Sequence, residues 1–349
     1  MLSIKSPPLR VTPELPRPYL LFLGEAQDLA YAKTAQGLRD WAPEACVGEF
    51  ACAGAQVSVG LPALSPVEAR ARGARAVVIG VANIGGALRE TWIVSLLDAL
   101  EAGLDIVSGL HGRLADTPAL ALAAKRLGRQ LIDVRVPPAN IPVGTGRKRS
   151  GRRLLTVGTD CALGKKYAAL CITRAFKGRG VKADFRATGQ TGILIAGAGI
   201  PMDAVVSDFV AGAAELLSPD APAEHWDVIE GQGSLFHPSY AGVSLGLLHG
   251  SQPDVIVLCH EVGRERILGL EEYPTPGLRE AIELTLQLGR RTNPHIRCAG
   301  VAVNTSSVPA AEAQAILARY AAETGLPVAD PMRGGMEFER LVDACLRAG

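Results

Sequence analysis

Between Arg153 and Lys166 the chain reads Arg-Leu-Leu-Thr-Val-Gly-Thr-Asp-Cys-Ala-Leu-Gly-Lys-Lys, residue types that suit one task. A short apolar run, Leu154 to Val157, breaks at Gly158, and Gly164-Lys165 stand at the head of a helical pattern. Glycines let backbone N–H groups converge on phosphate oxygens, a helix N-terminus adds partial positive charge, and a lysine reaches the phosphates. The usual pattern is G-x-x-x-x-G-K-[ST]. Here Gly158 comes one residue early, Thr159 takes its expected place, and Lys166 replaces the hydroxyl that normally holds magnesium. Ala168 supplies no substitute hydroxyl. The reading is a phosphate cradle suited to gripping its ligand without cleaving it. Cys161 is expected to have its thiol pKa lowered by the helix N-terminus, or to serve only as a small loop residue.

Other chemistry-bearing residues follow later apolar runs. Arg186-Ala-Thr-Gly-Gln-Thr-Gly192 contains Thr188, Gln190 and Thr191, expected to meet substrate or phosphate. Glu230-Gly-Gln-Gly-Ser-Leu-Phe-His237 begins with a carboxylate that is costly to bury unless it meets a cation or a donor. His260 and Glu261 close another run, with Arg264 and Arg266 just beyond, and Asn304-Thr-Ser-Ser307 closes a fifth. Histidines are poised for proton transfer near neutral pH, and arginines present a two-pronged donor to carboxylates. Asp208 reads either as a helix cap or as a magnesium ligand.

The elements that must position these groups alternate. Strands are expected at 19–23, 75–80, 104–107 and 130–134, with helices at about 27–41, 89–102 and 119–127. The second half repeats the alternation, with strands at 154–157, 181–187, 227–230, 254–259 and 298–303. Its helices are expected at 165–177, 208–217, 279–288, 310–324 and 337–346. Such alternation argues for two doubly wound parallel-sheet domains, in which ligands bind at the carboxyl ends of the strands. All five polar loops of the second half fall there. The expected division is an N-terminal arm (1–17), a Rossmann-like domain (18–136), a linker (137–153) and a phosphate-loop domain (154–349). The linker carries basic residues at 147, 148, 149, 152 and 153, read as a solvated segment or as a dock for an outlying phosphate. Glycines at 80, 85 and 86 sit where a dinucleotide fingerprint would, without spelling G-x-G-x-x-G.

Composition narrows the classes. With 349 residues, 48% apolar and 20% charged, the chain reads as globular, and 36 basic against 35 acidic residues offer no general attraction to nucleic acid or an anionic membrane. Seven scattered cysteines without a C-x-x-C pair point to a reducing compartment. No run is long enough to span a bilayer. The first 17 residues hold four prolines and no signal-like apolar stretch, so a cytoplasmic location is expected. The apolar content leaves room for a homodimer interface.

Two resemblances add to this reading. Gly158-Thr-Asp-Cys-Ala-Leu-Gly-Lys165 resembles the early-glycine phosphate loop of dethiobiotin synthetase and cobyric acid synthase, where Glu-Gly-x-Gly follows the third strand as Glu230 to Gly233 do here. In that group an asparagine matching Asn304 meets the adenine. More closely, Gly158 to Cys161, Arg186 to Gly192, Glu230 to Leu235, His237-Pro238 and Leu258 to Glu261 stand in the order of a long-uncharacterised two-domain family. Its member with an assigned activity is D-glutamate N-acetyltransferase, which uses acetyl-CoA. The resemblance implies acetyl-CoA held by Gly158, Thr159, Asp160, Cys161, Gly164, Lys165, Lys166 and Asn304. It implies His237 or His260 as the base, with Glu230 orienting it, and backbone N–H groups of residues 231–234 as oxyanion donors. Substrate contacts fall to Arg186, Thr188, Gln190, Thr191, Gln232, Ser234 and Arg264. The competing readings are an ATP- and magnesium-dependent ligase or kinase acting on a small carboxylate, with Asp208 or Glu230 on the metal, and a non-catalytic nucleotide sensor.

Overall fold

Tyr19-Leu-Leu-Phe22 is apolar at every position and buried at every position, as a strand covered on both faces of a parallel sheet must be. The computed structural model describes residues 15–81 and 88–347. Its first unit contains β1 (Tyr19–Phe22), α1 (Lys33–Trp41), β2 (Cys46–Phe50), α2 (Pro66–Ala71), β3 (Ala76–Ile79), α3 (Ile93–Glu101), β4 (Asp105–Ser108), α4 (Pro118–Leu127) and β5 (Leu131–Asp133). The strands lie in the order β2-β1-β3-β4-β5, all parallel.

Local chemistry sets several ends. Ser65 and Glu68 form a reciprocal capping box around Pro66 at the start of α2. The helix expected from Gln27 begins instead as a 3₁₀ turn, Leu29–Ala32, capped by Asp28, and becomes α-helical only at Lys33. Strand β2 was not expected because Gly48 and Glu49 interrupt its pattern. Glu49 is tolerated inside because its carboxylate accepts the N–H groups of Val59 (2.9 Å) and Leu61 (3.2 Å). Of the fingerprint-like glycines, Gly85 and Gly86 lie outside the described residues. Gly80 donates its N–H to the Phe22 carbonyl (2.8 Å) and accepts from Ala35 (2.9 Å), joining β1, β3 and α1.

The second half supplies β6 (Arg152–Gly158), α5 (Lys165–Gly178), β7 (Ala183–Arg186), α6 (Gln190–Ala196), α7 (Val210–Leu217), β8 (Trp226–Ile229), α8 (Ala241–Ser251) and β9 (Val255–Glu261). It continues with β10 (Arg266–Ile267), β11 (Leu270–Pro274), α9 (Leu278–Gly289), β12 (Arg297–Asn304), α10 (Ala310–Thr324), β13 (Val328–Ala329) and α11 (Gly335–Leu346). Its sheet is parallel in the order β13-β12-β9-β6-β8-β7, and β10 and β11 form a small antiparallel hairpin. Strand β6 is central, paired with β8 and β9. Two parallel-sheet α/β domains are thus present. Helix α8 escaped sequence reading because three glycines dilute its helical character. Asp208 and Ser207 do not cap α7: they lie in a preceding 3₁₀ turn, and α7 follows Phe209 with no side-chain cap.

The first unit runs to the proline-rich stretch and takes in one later segment. Residues through Pro138 and the excursion Gln190–Pro201 form one unit, and Ala139–Gly189 with Met202–Gly349 form the other. Helix α6 therefore belongs to the first unit. There Thr34 and Thr191 share a hydroxyl contact at 3.2 Å, and Arg17 donates to the Leu194 (2.7 Å) and Ile195 (2.8 Å) carbonyls at the end of α6.

Within the basic stretch 147–153, Arg149 and Arg153 are turned into the protein, while Arg147 and Lys148 are exposed. Arg149 is 6% exposed and Arg153 1%. Arg149 donates to the carbonyls of Ser218 (2.7 Å) and Gly250 (2.8 Å). Arg153 donates to Ser218 Oγ (2.7 Å) and to the carbonyls of Arg149 (3.0 Å), Ser150 (3.0 Å) and Pro219 (2.9 Å). Burial lowers the Arg149 pKa to about 10. Arg147 and Lys148 pair with Asp220 (2.7 Å) and Asp254 (2.6 Å). Replacing Arg153 by Met leaves several buried carbonyls without donors, so we expect the unfolding free energy to drop by about 3 kcal/mol or more. A urea denaturation midpoint that does not move would refute this.

Candidate active site

Thr156 is a hydroxyl inside an otherwise apolar strand, and it has work there. Its Oγ1 donates to the Lys165 carbonyl (3.2 Å) and accepts the Gly231 N–H (2.9 Å), binding the ends of β6, α5 and β8 together. Gly231 must be glycine, since a Cβ would collide with the Thr156 carbonyl. Beyond Gly158 the loop turns through left-handed Ala162 (φ 55°) and Gly164 (φ 104°). Lys165 opens α5 with its side chain folded inward, 6% exposed, its Nζ donating to the Asp160 carbonyl (2.7 Å). Burial lowers its pKa, opposed by the nearby thiols and carboxylates. The Lys166 ammonium lies 4.4 Å from the Tyr167 ring centroid.

Asp160 has no exposure and acts as a junction. One oxygen accepts the Cys161 N–H (2.6 Å), the other the Leu268 N–H (2.8 Å) and Arg264 Nη1 (3.2 Å). Arg264 also grips Glu261, and Glu261 Oε1 accepts from Asn304 Nδ2 (3.1 Å). Loops after β6, β9 and β12 are thereby joined. Arg264 already holds two protein carboxylates, and Asn304 is held by Glu261. Arg186 is likewise committed, its Nε donating to Asp227 (2.7 Å). Ser234 Oγ donates to the Gly158 carbonyl (2.9 Å).

Glu230 is 4% exposed, at the end of β8. Its Oε2 accepts the N–H groups of Thr188 (3.0 Å) and Gly189 (3.1 Å). Among the described residues its Oε1 has no hydrogen-bond partner. Burial raises its pKa, opposed first by the Lys166 charge and then by those two N–H bonds. Thr188 Oγ1 donates to the Glu230 carbonyl (2.6 Å) and accepts from Gln232 Nε2 (3.0 Å). Neither histidine is a partner of Glu230, so it does not orient one.

The histidines differ. Nδ1 of His237 accepts the Ser239 N–H (3.1 Å). A backbone N–H only donates, so the neutral ring carries its proton on Nε2 and presents a donor. Tyr240 stacks on it with centroids 4.3 Å apart. His260 Nδ1 meets Thr159 Oγ1 at 3.0 Å, and burial, aided by Arg264 and opposed by Glu261, holds its pKa at about 4. Cys161 departs from expectation: desolvation raises its thiol pKa and outweighs the Lys165 charge.

Two predicted contacts go elsewhere. Gln190 and Thr191 sit in the first unit, where the Gln190 amide, turned to match its neighbours, donates to the Gly109 carbonyl and accepts from Arg135 Nη2 (3.1 Å). Asp208 is exposed and belongs to neither group of three metal-capable side chains among the described residues, Asp160-Cys161-His237 and Asp184-His225-Asp227. A carboxylate, a thiol and an imidazole are not a magnesium donor set. Sequence reading missed Thr156, signalled by its polarity within β6, and Tyr240, which no pattern marked.

Over residues 142–342 the chain matches the family model described as the DUF1611_C P-loop domain, a domain of unknown function, and over residues 45–137 the DUF1611_N Rossmann-like domain. It is 50% identical over 327 residues to D-glutamate N-acetyltransferase of Tritonibacter scottomollicae, covering 94% of this chain and 98% of that one. A protein of the same name from Pseudoalteromonas sp is 48% identical over 320 residues, covering 92% and 96%. The crystal structure of a DUF1611 family protein from Anabaena variabilis superposes with a TM-score of 0.81 at 34% identity, covering 95% of this chain and 99% of that one.

The buried His260 makes a prediction about pH. Its ordinary pKa of 6.5 falls to about 4 in the fold, so between those values the unfolded chain binds the extra proton and stability falls as pH is lowered. His260→Gln is expected to flatten this acid limb. Urea midpoints at pH 7 and pH 5 that shift equally in both proteins would contradict it.

Proposed function

The chain belongs to the DUF1611 family, and on that footing we propose that it transfers an acetyl group from acetyl-CoA to the amine of D-glutamate. The observation that carries this reading is the match to relatives of that name along almost their whole length. The site supports it chemically. CoA presents a pyrophosphate and an adenosine 3′-phosphate, which the loop from Gly158 to Lys165 is suited to grip. Lys166 stands where a magnesium-holding hydroxyl would serve phosphoryl transfer, and this favours acyl transfer over the ligase or kinase reading.

In the transfer, the substrate ammonium loses a proton, its nitrogen attacks the thioester carbon, and the tetrahedral oxyanion collapses to release the thiol. We assign the proton to Glu230 Oε1, not to a histidine. Oε2 is pinned by two N–H groups while Oε1 has no hydrogen-bond partner among the described residues, and a raised pKa makes this carboxylate a better base than an exposed one. His237 Nε2–H is then an oxyanion donor, and His260, too weak a base at a pKa of about 4, orients Thr159. Of the three arginines considered for the substrate carboxylates, Arg186 and Arg264 hold protein carboxylates. Arg266, exposed on β10, takes that role. The seven free cysteines suit a reducing cytoplasm, and a homodimer belongs to the same reading.

Mixing the protein with acetyl-CoA and D-glutamate should release thiol. No release with any acidic amino acid, or brisk magnesium-dependent ATP hydrolysis, would overturn the proposal. Glu230→Gln should lower kcat about 10²- to 10⁴-fold with acetyl-CoA binding kept, while Lys165→Ala should abolish that binding. The acid limb of kcat/KM should lie above the ordinary carboxylate range, because the group must be ionised to act. An unchanged profile in Glu230→Gln would return the role to a histidine.

A further inference from the structure

The first unit holds a cavity that the proposed reaction does not use. In the order β2-β1-β3-β4-β5 the chain runs outward in one direction from β1 to β2 and in the other from β3 onward, so the crevice beyond β1 and β3 is the switch point where open α/β sheets bind ligands. A cavity of about 190 Å³ lies there, lined by Leu23, Glu25, Tyr31, Val81, Arg89 and Trp92 among others. Its floor is apolar: Leu23, Val81 and Trp92 are buried.

The walls are built. Gly24 takes φ 54°, and a Cβ there would come within 2.8 Å of the Trp92 indole. Only glycine lets Trp92 lie against the end of β1, where it also meets Phe22 edge-on at 5.7 Å. The next turn is pinned through Cys52 N–H to the Gly24 carbonyl (2.8 Å) and Gln56 N–H to the Ala26 carbonyl (3.0 Å). Glu25 accepts from Arg89 Nη1 (2.6 Å), Trp92 Nε1 (2.8 Å) and Thr91 Oγ1 (3.0 Å), which lower its pKa and keep it ionised, the Arg89 bond most of all. Both members of the pair still reach solvent, with side-chain exposures of 28% for Glu25 and 51% for Arg89. Among the described residues, only one of the three Arg89 guanidinium nitrogens has a hydrogen-bond partner.

The geometry points to a binding site for a free α-amino acid with an uncharged, apolar side chain. A carboxylate and a guanidinium 2.6 Å apart at the mouth of an apolar cavity match an α-ammonium and an α-carboxylate on one carbon. The apolar floor matches the side chain. The volume falls below the roughly 300–1,000 Å³ of drug-sized ligand pockets, which favours a small ligand over a dinucleotide. Among the described lining residues Arg89 is the one cation, so a second carboxylate would face Glu25 unpaired, and glutamate is disfavoured. The site is thus distinct from that of the acetyl acceptor, and the inference stands whether or not the proposed transfer is correct.

Calorimetric titration of the full-length protein with both hands of leucine, methionine and valine tests it. We expect saturable one-to-one binding of at least one of them, weakened about tenfold or more in Glu25→Gln and in Arg89→Leu. Leucinamide, which lacks the carboxylate, should bind less well by a similar factor. Ala26→Trp, which fills the cavity and leaves the ion pair in place, should abolish binding while the thermal melt stays cooperative. Absence of binding by any of these amino acids, binding that survives Ala26→Trp, or preferred binding of glutamate or adenosine would overturn the inference.

Discussion

A carboxylate sealed from water holds the second sheet's ligand end together. Asp160 follows β6, and removing its charge from solvent is tolerable only because two N–H groups and a guanidinium meet its oxygens. Through Arg264 the constraint passes to Glu261 and on to Asn304, so that the strand-end loops are set by one chain of charge-assisted bonds. The phosphate loop is shaped by the same residue, since Lys165 is anchored on the Asp160 carbonyl. A group that resembles a ligand contact in the sequence is, in the fold, what keeps the contact surface in place.

This separates legible from illegible features. Gly158, Gly164 and Lys165 were readable because a phosphate loop is a local object whose spacing along the chain is its geometry. The strands were readable where both faces are buried, as in Ala76–Ile79 and Val255–Glu261. Glu230 was readable as a carboxylate out of place at the end of an apolar run. Commitments across the sheet were not. Arg186 meets Asp227 across 41 positions and Arg264 meets Asp160 across 104, and an arginine's composition does not say whether its partner is protein or substrate. The basic run 147–153 misled for the same reason, since its buried members satisfy backbone carbonyls that only the fold brings near.

The proposed proton chemistry rests on similarly small facts. His237 and His260 look alike in sequence, and a single backbone N–H from Ser239 makes one of them a donor. Burial makes the other a weak base. Burial acts oppositely on Glu230, raising its pKa and strengthening it as a base. One physical term, desolvation, thus acts in opposite senses on His260 and Glu230, while a hydrogen bond sets His237.

Helix α6 carries a consequence for how the protein is made. Synthesis delivers the first 138 residues well before Gln190–Pro201, although the helix belongs with them. Its apolar residues Ile193 and Leu194 are fully buried. A nascent chain leaving the ribosome therefore exposes the surface meant for α6 until about 60 further residues have emerged, a delay of several seconds at ordinary elongation rates. The first unit is a body that its own leading sequence cannot finish, and cutting the chain at the proline-rich stretch would yield two incomplete pieces in place of two domains.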